Sequence, residues 1–232
     1  MATFCLIHGN WHDGSCWQPL AERLSALGHD VVAPDLPFDD PAATYEDRAR
    51  PAVAVLEDAH APVVIVGHSV GSAEAALVAA ERRPSLLVYL CPRFGSCAAP
   101  PDAPPTFREG FPFPPKDSEG RMVWDADSAI AAMYPRLPSD VARRLAERLR
   151  PGASAVGEYP LAEHPDVPTA LIYAREDEFF NPEWERFVAR TLLGIEPIEI
   201  PGGHFPMVED RDALAALLDS LLRSDSPASP AR

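Results

Sequence analysis

The chain predicts an α/β fold with a mainly parallel sheet flanked by helices. Three observations predict it. Four apolar strand-like runs alternate with three helix-like segments before residue 91. Val63-Val64-Ile65-Val66 runs straight into Gly67-His68-Ser69-Val70-Gly71 and then into an alanine-rich helix. A length of 232 residues with 47% hydrophobic residues suits one domain of the larger α/β kind.

Each element has its own warrant. Phe4-Cys5-Leu6-Ile7 is the first strand and opens into His8-Gly9-Asn10-Trp11. Ser15 and Gln18 have capping-box spacing, which predicts a helix from Cys16 to Leu27, stopped by Gly28. Val31-Val32-Ala33 is the second strand. Thr44 and Asp47 signal the next helix, with apolar positions through Val53, Leu56 and Ala59. Residues 63–66 form the third strand, the helix after it runs to Arg83, and residues 86–90 form the fourth strand. Such an order requires right-handed crossovers and puts ligands at the carboxyl ends of the strands.

The alternation stops after Leu90. Proline pairs at 100–101, 104–105 and 114–115 exclude regular structure there. Two helices are predicted inside the insertion, over 127–134 and 139–149. The aromatic and methionine side chains of Phe94, Phe107, Phe111, Phe113, Met122, Trp124, Met133 and Tyr134 make a cap over the strand ends, about residues 92–165. They either face a ligand or pack the cap onto the body. Regular structure resumes with a strand over 169–174 and a helix capped by Asn181, with Pro182 in its first turn and its end at Leu193. A last strand over 195–200 and an amphipathic helix over 210–222 follow. Residues 224–232 are predicted to be a disordered tail.

Composition narrows the partners. A net charge of −15 and a pI near 4.8 argue against nucleic acid and anionic membranes, which need a basic face. No run approaches membrane-spanning length and no basic leader precedes the first strand. A cytoplasmic protein with reduced thiols at Cys5, Cys16, Cys91 and Cys97 is expected. Lys116 is the sole lysine beside many arginines, a bias that fits a GC-rich bacterial genome.

The chemistry centres on Ser69. A strand, a tight turn and a helix would thrust its hydroxyl out of the strand end, next to the first amides of the helix. Serine at neutral pH needs a base, and the base needs an acid to orient it. His204 follows Gly202-Gly203 just past the last strand and is the best base among seven histidines. His8 reads as a support for its loop. His12 could line the pocket mouth or bond locally. His68 is the variable residue of the turn, His29 and His60 precede strands on the other edge, and His164 sits in a proline-flanked loop. Asp177, past the strand at 169–174, is the choice for the acid, with Glu176 and Glu178 open as neighbours. The Val70 and Asn10 amides are assigned to an oxyanion hole.

These residues resemble the α/β-hydrolase superfamily over nearly the full length. The stretch His8-Gly9-Asn10-Trp11-His12-Asp13-Gly14-Ser15-Cys16-Trp17 resembles the start of its methylesterase and hydroxynitrile-lyase branch, and His204-Phe205-Pro206-Met207 resembles the His-Met-Pro-Met stretch of its plant esterases. The resemblance implies an α/β-hydrolase fold with a cap insertion after the fourth strand, a Ser69–His204–Asp177 triad and no cofactor or metal. Phe205 stands where the lyases carry lysine, and Gly9 where they carry threonine or asparagine.

The expected activity is hydrolysis of a small carboxylic ester through an acyl-enzyme on Ser69. His12, Phe94, Trp124 and Phe205 are expected to touch the substrate. The alternatives are a lyase or cyclase of secondary metabolism on the same constellation, and a ligand sensor that retains the triad. The expected partner is a small-molecule ester, with a homodimer left open.

Overall fold

The computed structural model describes residues 1–59, 62–94 and 102–223. The predicted tail over 224–232, His60, Cys97 and the proline pair at 100–101 lie outside these residues.

A six-stranded, wholly parallel sheet forms the centre, in the order β2-β1-β3-β4-β5-β6. Its strands are β1 (Thr3–Ile7), β2 (Asp30–Val32), β3 (Val63–His68), β4 (Leu86–Leu90), β5 (Thr169–Ala174) and β6 (Ile198–Ile200). The helices are α1 (Gln18–Ala26), α2 (Tyr45–Val55), α3 (Gly71–Arg82), α4 (Ala126–Met133), α5 (Ser139–Ala146), α6 (Pro182–Thr191), α7 (Pro206–Glu209) and α8 (Arg211–Arg223). Strand side chains alternate between faces, so β1 sends Phe4 and Leu6 one way and Cys5 and Ile7 the other. Phe4 and Leu6 join Leu20 and Leu24 of α1 and Leu214 and Leu218 of α8. Cys5 and Ile7 join Ala52 of α2 and Ala75 and Val78 of α3. Each large apolar side chain buried this way contributes about 1.5–3 kcal/mol. The central strands are apolar on both faces because helices cover both.

Local chemistry sets most element ends. Thr44 and Asp47 form a reciprocal capping box on α2, and Asn181 caps α6 by accepting from the Glu183 amide at 3.0 Å. The start of α1 corrects the sequence reading. Asp13, not Ser15, is the cap, and it closes a 3₁₀ turn over Gly14–Trp17. The α-helix begins at Gln18 because Pro19 has no amide to donate and fits only a first turn. β6 is shorter than predicted, because Pro197 cannot join a ladder. β2 lies one residue earlier than predicted. The short α7 was not foreseen, and α6 stops at Thr191.

The segment between β4 and β5 carries α4 and α5 close to their predicted places and no strand among its described residues. It is pinned to the body by isolated pairings. Ala153 N–H donates to Phe38 O at 2.8 Å and Arg108 N–H donates to Phe179 O at 2.8 Å, while Met122 and Gly152, both inside the segment, tie it to itself by two backbone bonds at 2.7 and 2.8 Å. Cys5, Cys16 and Cys91 are buried free thiols. Among the described residues no helix is long and apolar enough to cross a membrane.

Candidate active site

All strands are parallel, so the loops after β1, β3, β5 and β6 leave the sheet on one side, and they supply the candidate residues. Ser69 follows β3 directly with φ +54°, a left-handed conformation that non-glycine residues seldom adopt. The turn is held on three sides. Ser69 N–H donates to Leu90 O at 3.1 Å, and Ser69 O accepts from Ser72 N at 3.1 Å and Arg93 N at 2.9 Å. Glycine is required beside it. A Cβ on Gly71 would lie 2.2 Å from His8 O, and one on Gly9 would lie 2.9 Å from Ser69 Cβ.

The loop after β5 carries Asp177, which is fully buried. Its Oδ1 accepts from the amides of Phe179 and Phe180 at 2.7 and 2.8 Å. Its Oδ2 faces His204 Nδ1 at 2.6 Å. This settles which tautomer the pair uses: Nδ1 carries the proton toward Asp177, leaving Nε2 free to accept one. Phe179 stacks on the His204 ring at 4.3 Å, and Phe180 meets it edge-on at 5.1 Å. Among the described residues no hydrogen bond joins Ser69 to His204; such bonds commonly tighten only around a substrate.

Val70 caps the N-terminus of α3, so its amide is one of the free donors of a helix start. Asn10 sits in the loop after β1. Neither amide has a protein acceptor among the described residues. Both residues, with Ser69, line a cavity of about 450 Å³.

The cavity sorts the predicted cap residues. Phe94, Phe107, Phe111, Phe113 and Met122 line it, together with Trp11, Phe179 and Phe180. Trp124 and Phe205 do not reach it: Trp124 packs edge-on against Trp11, and Phe205 is enclosed by His12, His68, Tyr134 and His204. His12 is likewise turned away. It donates from Nδ1 to Asn10 O at 3.1 Å and accepts at Nε2 from the Tyr134 hydroxyl at 2.6 Å. Thus Phe94 alone of the four expected substrate contacts faces the cavity.

A family model described as the alpha/beta hydrolase family matches residues 6–217. The chain belongs to this family. A carbendazim hydrolyzing esterase from Nocardioides sp. (strain SG-4G) is 28% identical over 95% of this chain and 100% of its own. Methylesterase 1 of Arabidopsis thaliana is 25% identical over 80% of this chain and 82% of its own, in keeping with the branch that the opening motif resembles. The crystal structure of polyneuridine aldehyde esterase superposes with a TM-score of 0.74 at 19% identity, covering 95% of this chain and 99% of that one.

Within this alpha/beta hydrolase, several residues near the site carry roles that the sequence did not announce. Glu176 and Glu178, the open alternatives to Asp177, hold backbone instead. Glu176 Oε2 accepts from Gly202 N at 2.6 Å, and Glu178 Oε2 accepts from His204 N at 3.0 Å. His68 Nε2 donates to His204 O at 2.8 Å. His8 accepts at Nε2 from Leu36 N at 2.9 Å and donates from Nδ1 to Gly9 O, the supporting role expected for it. Burial pushes His8 and His12 down to about 4 and holds both neutral. Cys91 brings its sulfur within 4.8 Å of the Asp177 and His204 pair. Those three atoms could in principle ligate a metal, but His204 Nδ1 is already committed to Asp177. The remaining surprise is polar: Arg48 and Glu74 also line the cavity.

Proposed function

We propose that this chain is a cofactor-independent serine esterase acting on a small carboxylic ester. The observation that carries the reading is the buried 2.6 Å Asp177–His204 pair on the same side of the sheet as Ser69 at its left-handed turn. The esterases among its relatives support the same class.

In the proposed reaction His204 Nε2 takes the Ser69 Oγ proton as that oxygen attacks the ester carbonyl. The carbonyl oxygen becomes an oxyanion held by the Val70 and Asn10 amides. The tetrahedral intermediate collapses, the alcohol leaves with the proton from His204, and Ser69 is left acylated. Water then gives a proton to His204 and attacks the acyl carbon. The acid departs, and Ser69 recovers its proton. Asp177 fixes the imidazole tautomer and stabilises the imidazolium without itself becoming protonated.

The test is stopped-flow release of nitrophenol from p-nitrophenyl acetate by wild type and Ser69→Ala. A Ser69-dependent burst followed by steady turnover is expected. Full turnover in Ser69→Ala would overturn the proposal. A burst without turnover would favour ligand sensing, and no burst at all would favour lyase or cyclase chemistry.

A further inference from the structure

The cavity lining divides by chemistry. Aromatic side chains from the 107–113 loop and the 179–180 turn form one part. Another part is contributed by α2, by α3 and by residues 153–155. It contains Arg48 and Glu74, only 3% and 1% exposed.

Their placement follows from the local structure. Glu74 is near the start of the helix that begins at the nucleophile turn. Arg48 is in the first turns of α2, which packs on α3. The guanidinium is fixed from two directions. Nη2 donates to Ala153 O at 3.3 Å, and the group lies over the Phe38 ring at 5.0 Å. Two polar atoms are nevertheless left over. Arg48 Nε and Glu74 Oε2 are both buried and have no hydrogen-bond partner among the described residues. Buried donors and acceptors are nearly always paired, and leaving one unpaired is costly. Two orphans of opposite type, on adjacent helices lining one cavity, are what a bound polar group would satisfy.

We propose that Arg48 and Glu74 form a polar subsite selecting esters that carry an uncharged group with adjacent hydrogen-bond acceptor and donor atoms, of the amide N–H/C=O kind. An arginine offers only donors, so the ligand must present an acceptor to Nε. A protonated Glu74 carboxyl keeps one acceptor oxygen beside its O–H, so the ligand must also present a donor to that oxygen. An N–H beside a C=O meets both demands in one planar unit. A carboxylate offers no donor and would leave the acceptor oxygen of Glu74 unpaired. A hydrocarbon would leave both orphans buried. Burial pushes Glu74 up to about 8, so at neutral pH the pair does not present a second full charge for a neutral ligand to desolvate.

The inference rests on the esterase reading, and the test separates the two. Four aryl esters are compared by pH-stat: phenyl N-acetylglycinate against its apolar isostere phenyl 4-methylpentanoate, and 4-acetamidophenyl acetate against 4-isobutylphenyl acetate. Each pair differs only in the amide, in the acyl or the alcohol half. Phenyl hydrogen adipate supplies a carboxylate. Labelling of Ser69 by a small fluorophosphonate reports the nucleophile independently of the subsite.

In wild type, one amide ester is expected to exceed its isostere about tenfold in kcat/KM, the discrimination of a site built to pair polar atoms. Glu74→Leu and Arg48→Met are expected to reduce that ratio to near one. Glu74→Gln, which keeps an acceptor oxygen in the same volume, is expected to retain most of it. Ester hydrolysis with Ser69 labelling but no amide preference in either pair would overturn the subsite and leave the esterase reading standing. A preference for the adipate ester that vanishes in Arg48→Met would overturn the neutral ligand in favour of an anion. Absence of both labelling and hydrolysis would overturn both proposals.

Discussion

His204 Nδ1 stands 2.6 Å from Asp177 Oδ2, and both side chains are sealed from solvent. The other carboxylate oxygen is fully engaged by two backbone amides. An asparagine substituted for Asp177 would therefore keep its oxygen on those amides and turn its NH₂ toward His204. Nδ1 would have to accept, and Nε2 would carry the proton in place of the lone pair. Asp177→Asn is expected to lower kcat by about 10⁴ while leaving a cooperative unfolding transition, as in other triads. Steady-state hydrolysis of p-nitrophenyl acetate, with a thermal melt alongside, checks this.

Two glycines near Ser69 should fail in different ways. Gly71→Ala would drive a methyl to 2.2 Å from the His8 carbonyl oxygen, a rigid backbone atom. It is expected to destabilise the protein by about 3 kcal/mol, the upper end of overpacking costs. Gly9→Ala would place a methyl 2.9 Å from Ser69 Cβ. The side chain it displaces is that of the proposed nucleophile, so kcat/KM is expected to fall by about 10² with a smaller loss of stability. Urea titrations and kinetics on both variants would show whether the losses divide this way.

Acid should weaken the fold before ordinary carboxylates titrate. His8 and His12 are held near 4 in the folded chain, against 6.5 when exposed. Below 6.5 the unfolded chain binds protons that the folded chain refuses. Stability is then present in full above 6.5 and is lost as pH falls toward 4. Each histidine contributes a slope of about 1.4 kcal/mol per pH unit inside that window. Calorimetry between about pH 6.5 and 5 should show a falling Tm, and a flat Tm there would refute neutral burial of these rings.

Glu74 works in the opposite direction. Its carboxyl is raised to about 8 against an ordinary 4.5, so the folded chain keeps a proton that the unfolded chain releases. Stability from this group is present below 4.5 and is lost as pH rises through 8. Glu74→Gln cannot ionise. The variant is expected to lose less stability than wild type between about pH 6 and 8.5, read as the difference in Tm across that range.

The loops that carry the candidate site are readable in the sequence, and the surroundings of those loops are not, for identifiable reasons. Ser69 was legible because turn, strand and helix signals converge on it within a few residues. Asp177 and His204 were legible as loop residues past strand ends. The roles of Glu176 and Glu178 depend on how the loops after β5 and β6 lie against each other, which no local pattern encodes. His12 and Phe205 sit close to the motif yet face inward, because a one-residue change of direction in a loop has no periodicity to betray it. Glu74 hides in a helix whose neighbouring residues are alanine. Its burial shows only once α2 and the 153–155 strip are laid over it. The late start of α1 has a different reason: Ser15 has capping-box spacing, but Pro19 fits only the first turn of the helix and places its start at Gln18.

The all-parallel sheet also shapes the order of events during synthesis. No two neighbouring strands are joined by a hairpin, so every pairing must wait for a crossover to be made. A ribosome that has reached Leu90 has made the Ser69 turn together with both strands that flank β3. Asp177 follows β5 and His204 follows β6, the latter long after Leu90. On the proposed reading of the triad, a nascent chain therefore holds an unarmed serine until β5 and β6 close the far edge.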